Sequence, residues 1–224
     1  MVRLVDPDDG LGADDGLGAD DGLGADDGLG AQEQRVADAA LRCIARWGIA
    51  KTTLDDVARE ASCSRATIYR LFPGGKDALL EAVTRSELDR FFRGLAHAFD
   101  EADNLEDLLV GGMVFAARSL AGHQALQFVL SYEPEVVLPE VAFRQADRVL
   151  NMVSTFAAPY LAPYVGADGA PRVAEWVTRL VLTYTLSPAD GVDVGDDDSV
   201  RRLVRTYVLP GLVAAPAVGA DSVP

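Results

Sequence analysis

Between Thr53 and Lys76 the chain sets hydroxyls and cations at spacings that suit a phosphate backbone and the base edges behind it. Thr53 and Ser64 each stand just before a short run with helical apolar periodicity. Each is therefore an N-cap candidate, with free N–H groups beside its hydroxyl, and an anion binds naturally at such a place. Arg65 and Arg70 project from the second of these runs, where a guanidinium can fork onto phosphate or a guanine edge. Tyr69 adds a hydroxyl on a rigid ring, while Ile68 and Phe72 face inward and anchor the run. Lys76 opens the next helix, where the chain returns toward the same surface.

Such side chains act together only if two short helices meet at a tight turn and are braced on both sides. The spacing predicts that arrangement. Val36, Ala39, Ala40, Cys43, Ile44 and Trp47 form one helical stripe, ended by Gly48 as a C-cap. A second helix starts near Thr53, with Leu54, Val57, Ala58 and Ala61 on one face. The turn Ser62-Cys63 leads to a third helix reaching about Phe72. Pro73-Gly74-Gly75 breaks it, and a fourth helix runs from Lys76 to the region of His97. A second helix in the pair that is this short fits a groove about 12 Å wide.

This stretch resembles the TetR (tetracycline-repressor) family from Val36 to Val83. The likeness rests on Thr52-Thr53-Leu54-Asp55-Asp56-Val57-Ala58-Arg59-Glu60-Ala61, on Ser64-Arg65-Ala66-Thr67-Ile68-Tyr69-Arg70-Leu71-Phe72-Pro73, and on Lys76-Asp77-Ala78-Leu79-Leu80. The resemblance implies DNA contacts by Thr53, Ser64, Arg65, Ala66, Tyr69, Arg70 and Lys76, and Thr67 lies inside the same run. Two positions depart from the family pattern. Ser62 fills a turn position usually held by glycine, at a cost of about 1 kcal/mol if φ is positive there. Leu71 replaces a residue that is often polar.

Charge agrees with this placement. The net charge is −15 overall, yet it divides as −8 over residues 1–31, +1 over 32–83 and −8 over 84–224. The one stretch that is not acidic holds the motif, and screening limits the reach of the acidic remainder to roughly 10 Å. Residues 8–31 are four copies of Asp-Asp-Gly-Leu-Gly-Ala, too poor in apolar side chains to build a core, and are expected to be disordered. The aspartate pairs lack the spacing of a calcium loop, so neither a metal nor another cofactor is expected. The start of the chain lacks the regions of a signal peptide, and no apolar run reaches the roughly 18–20 residues that span a bilayer. A cytoplasmic protein without membrane contact is the expectation.

Cys43 reads as core. Cys63, just before the recognition helix, reads as a turn residue, with a redox switch as the sharper alternative. His97 and His123 lack partners that would make a catalytic or metal site. The Gly-Leu-Gly triplets follow no strand, and no GxSxG, HExxH or P-loop is present, so an enzyme is not expected.

Residues 84–210 also read as helical, at about 105–120, 123–132, 139–162, 171–186 and 199–208, with a loose tail after Pro210. Val173, Trp176, Val177, Leu180, Val181 and Tyr184 form one stripe, and Leu182 and Leu186 a second face. The last helix shows Val200, Leu203, Val204, Tyr207 and Val208 on one side and Arg201, Arg202 and Arg205 on the other. The family resemblance implies that these two helices form a four-helix bundle with a twofold mate. It also implies a small-molecule site between the middle helices. Met113, Phe115, Phe128, Tyr132, Met152, Phe156 and Trp176 are its candidate lining, suited to a lipophilic effector such as an acyl chain, a steroid or an aromatic drug. Arg118, Arg144 and Arg148 are the few cations available to an anionic head group.

The expected fold class is all-α, a three-helix DNA-binding domain with a helix-turn-helix followed by a helical ligand-binding and dimerisation domain. The expected function is a regulator, a repressor, that binds a palindromic operator on double-stranded DNA as a homodimer and is released by its effector. The alternative is the same fold serving as a protein-interaction module without strong DNA binding.

Overall fold

A computed structural model describes residues 29–135 and 146–213. The Asp-Asp-Gly-Leu-Gly-Ala repeats up to Gly28, Arg144, the first part of the helix expected from 139, and the tail beyond Val213 lie outside the described residues. The described residues form α1 (Ala31–Lys51), α2 (Leu54–Glu60), α3 (Arg65–Leu71), α4 (Lys76–Asp100), α5 (Leu105–Gly122) and α6 (Gln124–Tyr132). They continue through α7 (Ala146–Val165), α8 (Ala170–Leu186), α9 (Asp197–Leu203), one π turn (Val204–Val208) and α10 (Leu209–Val213). Among the described residues there is no strand, and one isolated bridge joins Ala189 and Val192. The chain is all-α, as its periodicity predicts.

Two large buried clusters, with a small third one of Ile44, Ala125 and Val129 between α1 and α6, organise these helices. Val36, Ala39, Ala40 and Cys43 of α1 pack with Val57 of α2, Ile68 of α3 and Leu79 of α4 in the amino-terminal cluster. Leu95 and Phe99, farther along α4, pack with α5, α7, α8 and the last helix in the second. At 25 residues, α4 is about 37 Å long and enters both clusters. Phe115 of α5 lies where Gly94 of α4 lacks a Cβ, so the two helices meet closely.

Local chemistry fixes the short helices. Thr53 caps α2 in a reciprocal box: its Oγ1 accepts the Asp56 N–H at 3.2 Å, and Asp56 Oδ2 accepts the Thr53 N–H at 3.2 Å. The α2–α3 turn is a Schellman closure, in which Cys63 N–H donates to Ala58 O at 2.9 Å and Ser62 N–H to Arg59 O at 3.2 Å. That closure puts Ser62 at φ 53, the left-handed conformation for which glycine is the usual residue.

Several boundaries differ from the sequence expectation. Trp47 continues the α1 stripe on paper but is 39 % exposed, whereas Ile44, with Ala45 and Ile49 beside it, packs against Ala125 and Val129 of α6. The α7 helix runs to Val165, through Pro159 and Pro163, rather than ending at 162. Buried Ala157 and Leu161, packed in the second cluster, offset the backbone bonds those prolines cannot make. The final helix contains a π turn and reaches Val213, so the chain is still helical after Pro210. The wider turn keeps Val200, Val204 and Val208 fully buried at intervals of four and rotates Tyr207 outward, 70 % exposed.

Candidate nucleic-acid interface and cavity

The third helix presents the expected face to solvent. Arg65, Ala66, Tyr69 and Arg70 are exposed, while Ile68 and Phe72 are buried against α1 and α4. Ser64 caps the helix, its Oγ accepting the Thr67 N–H at 3.1 Å and lying 2.9 Å from the Thr67 hydroxyl. Thr67 is half-buried, and Thr53 is exposed at the start of α2.

Arg65 is held in place before any ligand arrives. Its guanidinium donates to the Tyr69 hydroxyl at 3.3 Å and to Asp55 at 3.2 Å, and it lies 5.5 Å from the centre of the Tyr69 ring. The Tyr69 hydroxyl, and then the Asp55 charge, raise the Arg65 pKa further above its ordinary value. Behind this face Arg42 and Arg46 of α1 pair with Glu60 at 2.7 and 3.2 Å and tie the end of α2 to α1. Those bonds, the Arg42 one foremost, hold the Glu60 carboxyl below the usual carboxylate range. Lys76 is turned inward, its Nζ donating to the Ile49 carbonyl at 2.6 Å.

A cavity of about 1070 Å³ opens between α4, α5, α6, α7 and α8 and extends to α1. Of the candidate lining residues, Met113, Phe115 and Met152 are on its wall. Phe156 instead packs on Phe92 in a tilted pair with centroids 4.7 Å apart, in a ring cluster with Phe99 and Tyr160. Phe128 packs on Tyr132 at 4.7 Å away from the cavity, and Tyr132 is 73 % exposed. Trp176 is 41 % exposed on the outer face of α8. The sequence reading missed Phe91, Phe92 and Leu88 of α4 and Ile44 of α1, which line the cavity. The available signal was α4 itself, whose aromatic pair continues past the stretch needed to brace the recognition helix.

Arginines around the cavity are already engaged. Arg42 pairs with Glu60, Arg90 with Glu87 at 2.6 Å, and Arg118 with Asp197 at 2.8 Å. Arg148 is exposed and is not among the lining residues described. His123 Nδ1 accepts the Leu126 N–H at 3.1 Å, so its proton sits on Nε2 and points at Glu87 Oε2, 3.1 Å away.

A short, capped, solvent-facing helix braced by three others is the geometry of a helix-turn-helix. Residues 36–83 match the family described as bacterial regulatory proteins, tetR family. An uncharacterized HTH-type transcriptional regulator of Mycobacterium tuberculosis is 28 % identical over 187 residues, covering 82 % of this chain and 86 % of that protein. Another, from Mycobacterium bovis, is 26 % identical over 179 residues, covering 79 % and 92 %. Among solved structures, the TetR family repressor AlkX from Dietzia, implicated in biodegradation of n-alkanes, has the same fold. The TM-score is 0.57 at 18 % identity, over 81 % of this chain and 95 % of that one. Over residues 36–83 the chain matches the TetR family model, and over most of its length it is similar to HTH-type transcriptional regulators. No helix among the described residues is long and apolar enough to cross a membrane.

Proposed function

We propose that this protein is a cytoplasmic repressor that grips a palindromic operator as a homodimer and lets go when a lipophilic effector fills its cavity. The observation that carries the reading is the pairing of a preset reading face with a large apolar cavity along the same long helix. Arg65, Tyr69 and Arg70 stand out from α3 with their helix fixed by Ser64 and Ile68, so little order remains to be imposed when DNA binds. Thr53 and Ser64 add helix starts for phosphate. Lys76 contributes to the same surface through the loop it braces at Ile49.

The cavity favours an uncharged effector. Its wall is mainly aliphatic and aromatic, and Arg42, Arg90 and Arg118 already face carboxylates. A neutral alcohol, a steroid or an aromatic compound suits it better than a free acid. Homodimerisation is supported by the outward apolar side chains Trp176, Leu186 and Tyr207, which leave α8 and the last helix with surface to cover.

The test is enrichment of sheared genomic DNA on the purified full chain, followed by a salt titration on the best fragment. Enrichment of palindromic sites with affinity that falls steeply as salt rises is the expected result. Arg65→Ala should weaken that binding by about 1–3 kcal/mol without changing the melting temperature. Binding that ignores both salt and Arg65 would sink the reading.

A further inference from the structure

A buried carboxylate lies at the seam between the reading half and the cavity. Glu133 is the C-cap of α6 and is only 8 % exposed. Its side chain turns back onto the end of α1, where Oε2 accepts the Ile49 N–H at 2.7 Å and Oε1 accepts the Ala50 N–H at 3.2 Å. Charge-assisted bonds of this kind are among the stronger ones a buried side chain makes. Nothing in the reading face or the cavity wall requires this residue.

The site is shaped for the carboxylate. Gly48 leaves helical geometry at φ 83, so α1 restarts for one turn, and the Ile49 and Ala50 N–H groups at the start of that turn donate to Glu133. A Cβ on Gly48 would collide with Glu133 Oε1, so the approach depends on the bare glycine. The same turn is tied from two other directions. Its Ile49 carbonyl takes the Lys76 ammonium, and the Thr52 hydroxyl donates to the Gly48 carbonyl at 2.6 Å. The next residue, Thr53, caps α2. Residues 48–53 therefore connect α6, the start of α4 and the first helix of the helix-turn-helix.

We propose that Glu133 is the positioning residue that sets the reading helices against the regulatory half, by clamping the turn from which α2 departs. It touches no DNA. It acts through the Ile49 and Ala50 amides, and it shares α6 with cavity-wall residues Ala125, Leu126 and Val129. The proposal rests on the DNA-binding reading above.

The experiment compares full-length wild type with Glu133→Gln and Glu133→Ala on the best genomic fragment, at a temperature where circular dichroism shows each folded. Amide hydrogen exchange is read in parallel. The expected result is DNA binding weaker by roughly tenfold, with the slope against salt unchanged because no phosphate contact is lost. Faster exchange should accompany it at Ile49 and Ala50. Wild-type DNA affinity in Glu133→Ala overturns the proposal, as does a salt slope reduced by a full contact, which would make Glu133 part of the interface itself. If Glu133→Ala does not fold, Glu133→Gln carries the test, since it keeps the shape but turns an N–H toward one of the two amides. If wild type selects no DNA, the DNA-binding reading fails and the clamp is judged on exchange alone. Acceleration confined to residues 49 and 50 then supports it, and unchanged exchange overturns it.

Discussion

The two halves of this molecule bury apolar surface in opposite ways. Around Ile68 the amino-terminal half is filled with small side chains: Ala39, Ala40 and Cys43 of α1 sit against Val57 and Leu79 with almost no exposure. Around Met113 the other half uses large aromatic side chains and still leaves an open cavity of about 1070 Å³. A reading face must arrive at DNA already shaped, and close packing locks α3 in one orientation. A half built around a cavity gives up some packing and leaves room that a bound molecule can fill. The contrast indicates that rigidity and vacancy are divided between two clusters joined by α4, α1 and α6.

The comparison breaks most sharply at Ile68. Ile68→Ala removes a fully buried anchor from a core with no slack and should cost about 2–5 kcal/mol in urea unfolding, with loss of DNA binding. Cost in that range without effect on DNA would show that α3 is not oriented by this packing. Adding volume should separate the halves next. Ala39→Leu in the filled core should destabilise by about 1–3 kcal/mol. Ala116→Leu on the cavity wall should leave stability unchanged or raise it, while weakening uptake of a neutral probe such as 1-decanol, read by calorimetry. Equal costs at the two positions would mean the cavity closes in solution.

A smaller effect is expected at the α2–α3 turn. Ser62→Gly removes a left-handed serine and should stabilise the reading half by about 1 kcal/mol, visible as a raised urea midpoint. The smallest concerns acid. Arg205 and then Arg201 hold the Glu106 carboxyl below its ordinary range, and Thr53 does the same for Asp56. A carboxyl depressed by folding stabilises the folded state above its unfolded value and stops doing so as the pH falls through its folded value. The melting temperature should therefore drop on acidification below the usual carboxylate range. Glu106→Gln should flatten only the share owed to the α5–α9 contact. These groups are exposed, so screening keeps that share small.

The reading half was largely legible because its information is local. N-caps at Thr53 and Ser64, the inward Ile68 and Phe72, and the helix breaks at Pro73 to Gly75 are decided within a turn or two of each residue. Even the positive φ at Ser62 follows from where the second helix must stop. The cavity was legible only in kind. Met113, Phe115 and Met152 lie on its wall, but Phe128, Tyr132 and Trp176 share their composition and periodicity and stand elsewhere.

The sequence by itself determined an all-α chain with a capped helix-turn-helix and an apolar carboxy-terminal half, because helical period, caps and breakers are short-range signals. Tertiary structure alone decided which aromatic side chains surround a vacancy and that a π turn rotates Tyr207 into solvent. It also decided that Glu133 closes onto amides 84 and 83 positions earlier in the chain. Those outcomes depend on where helices distant in sequence come to rest, and nothing in the spacing of residues along one helix records its neighbour's position.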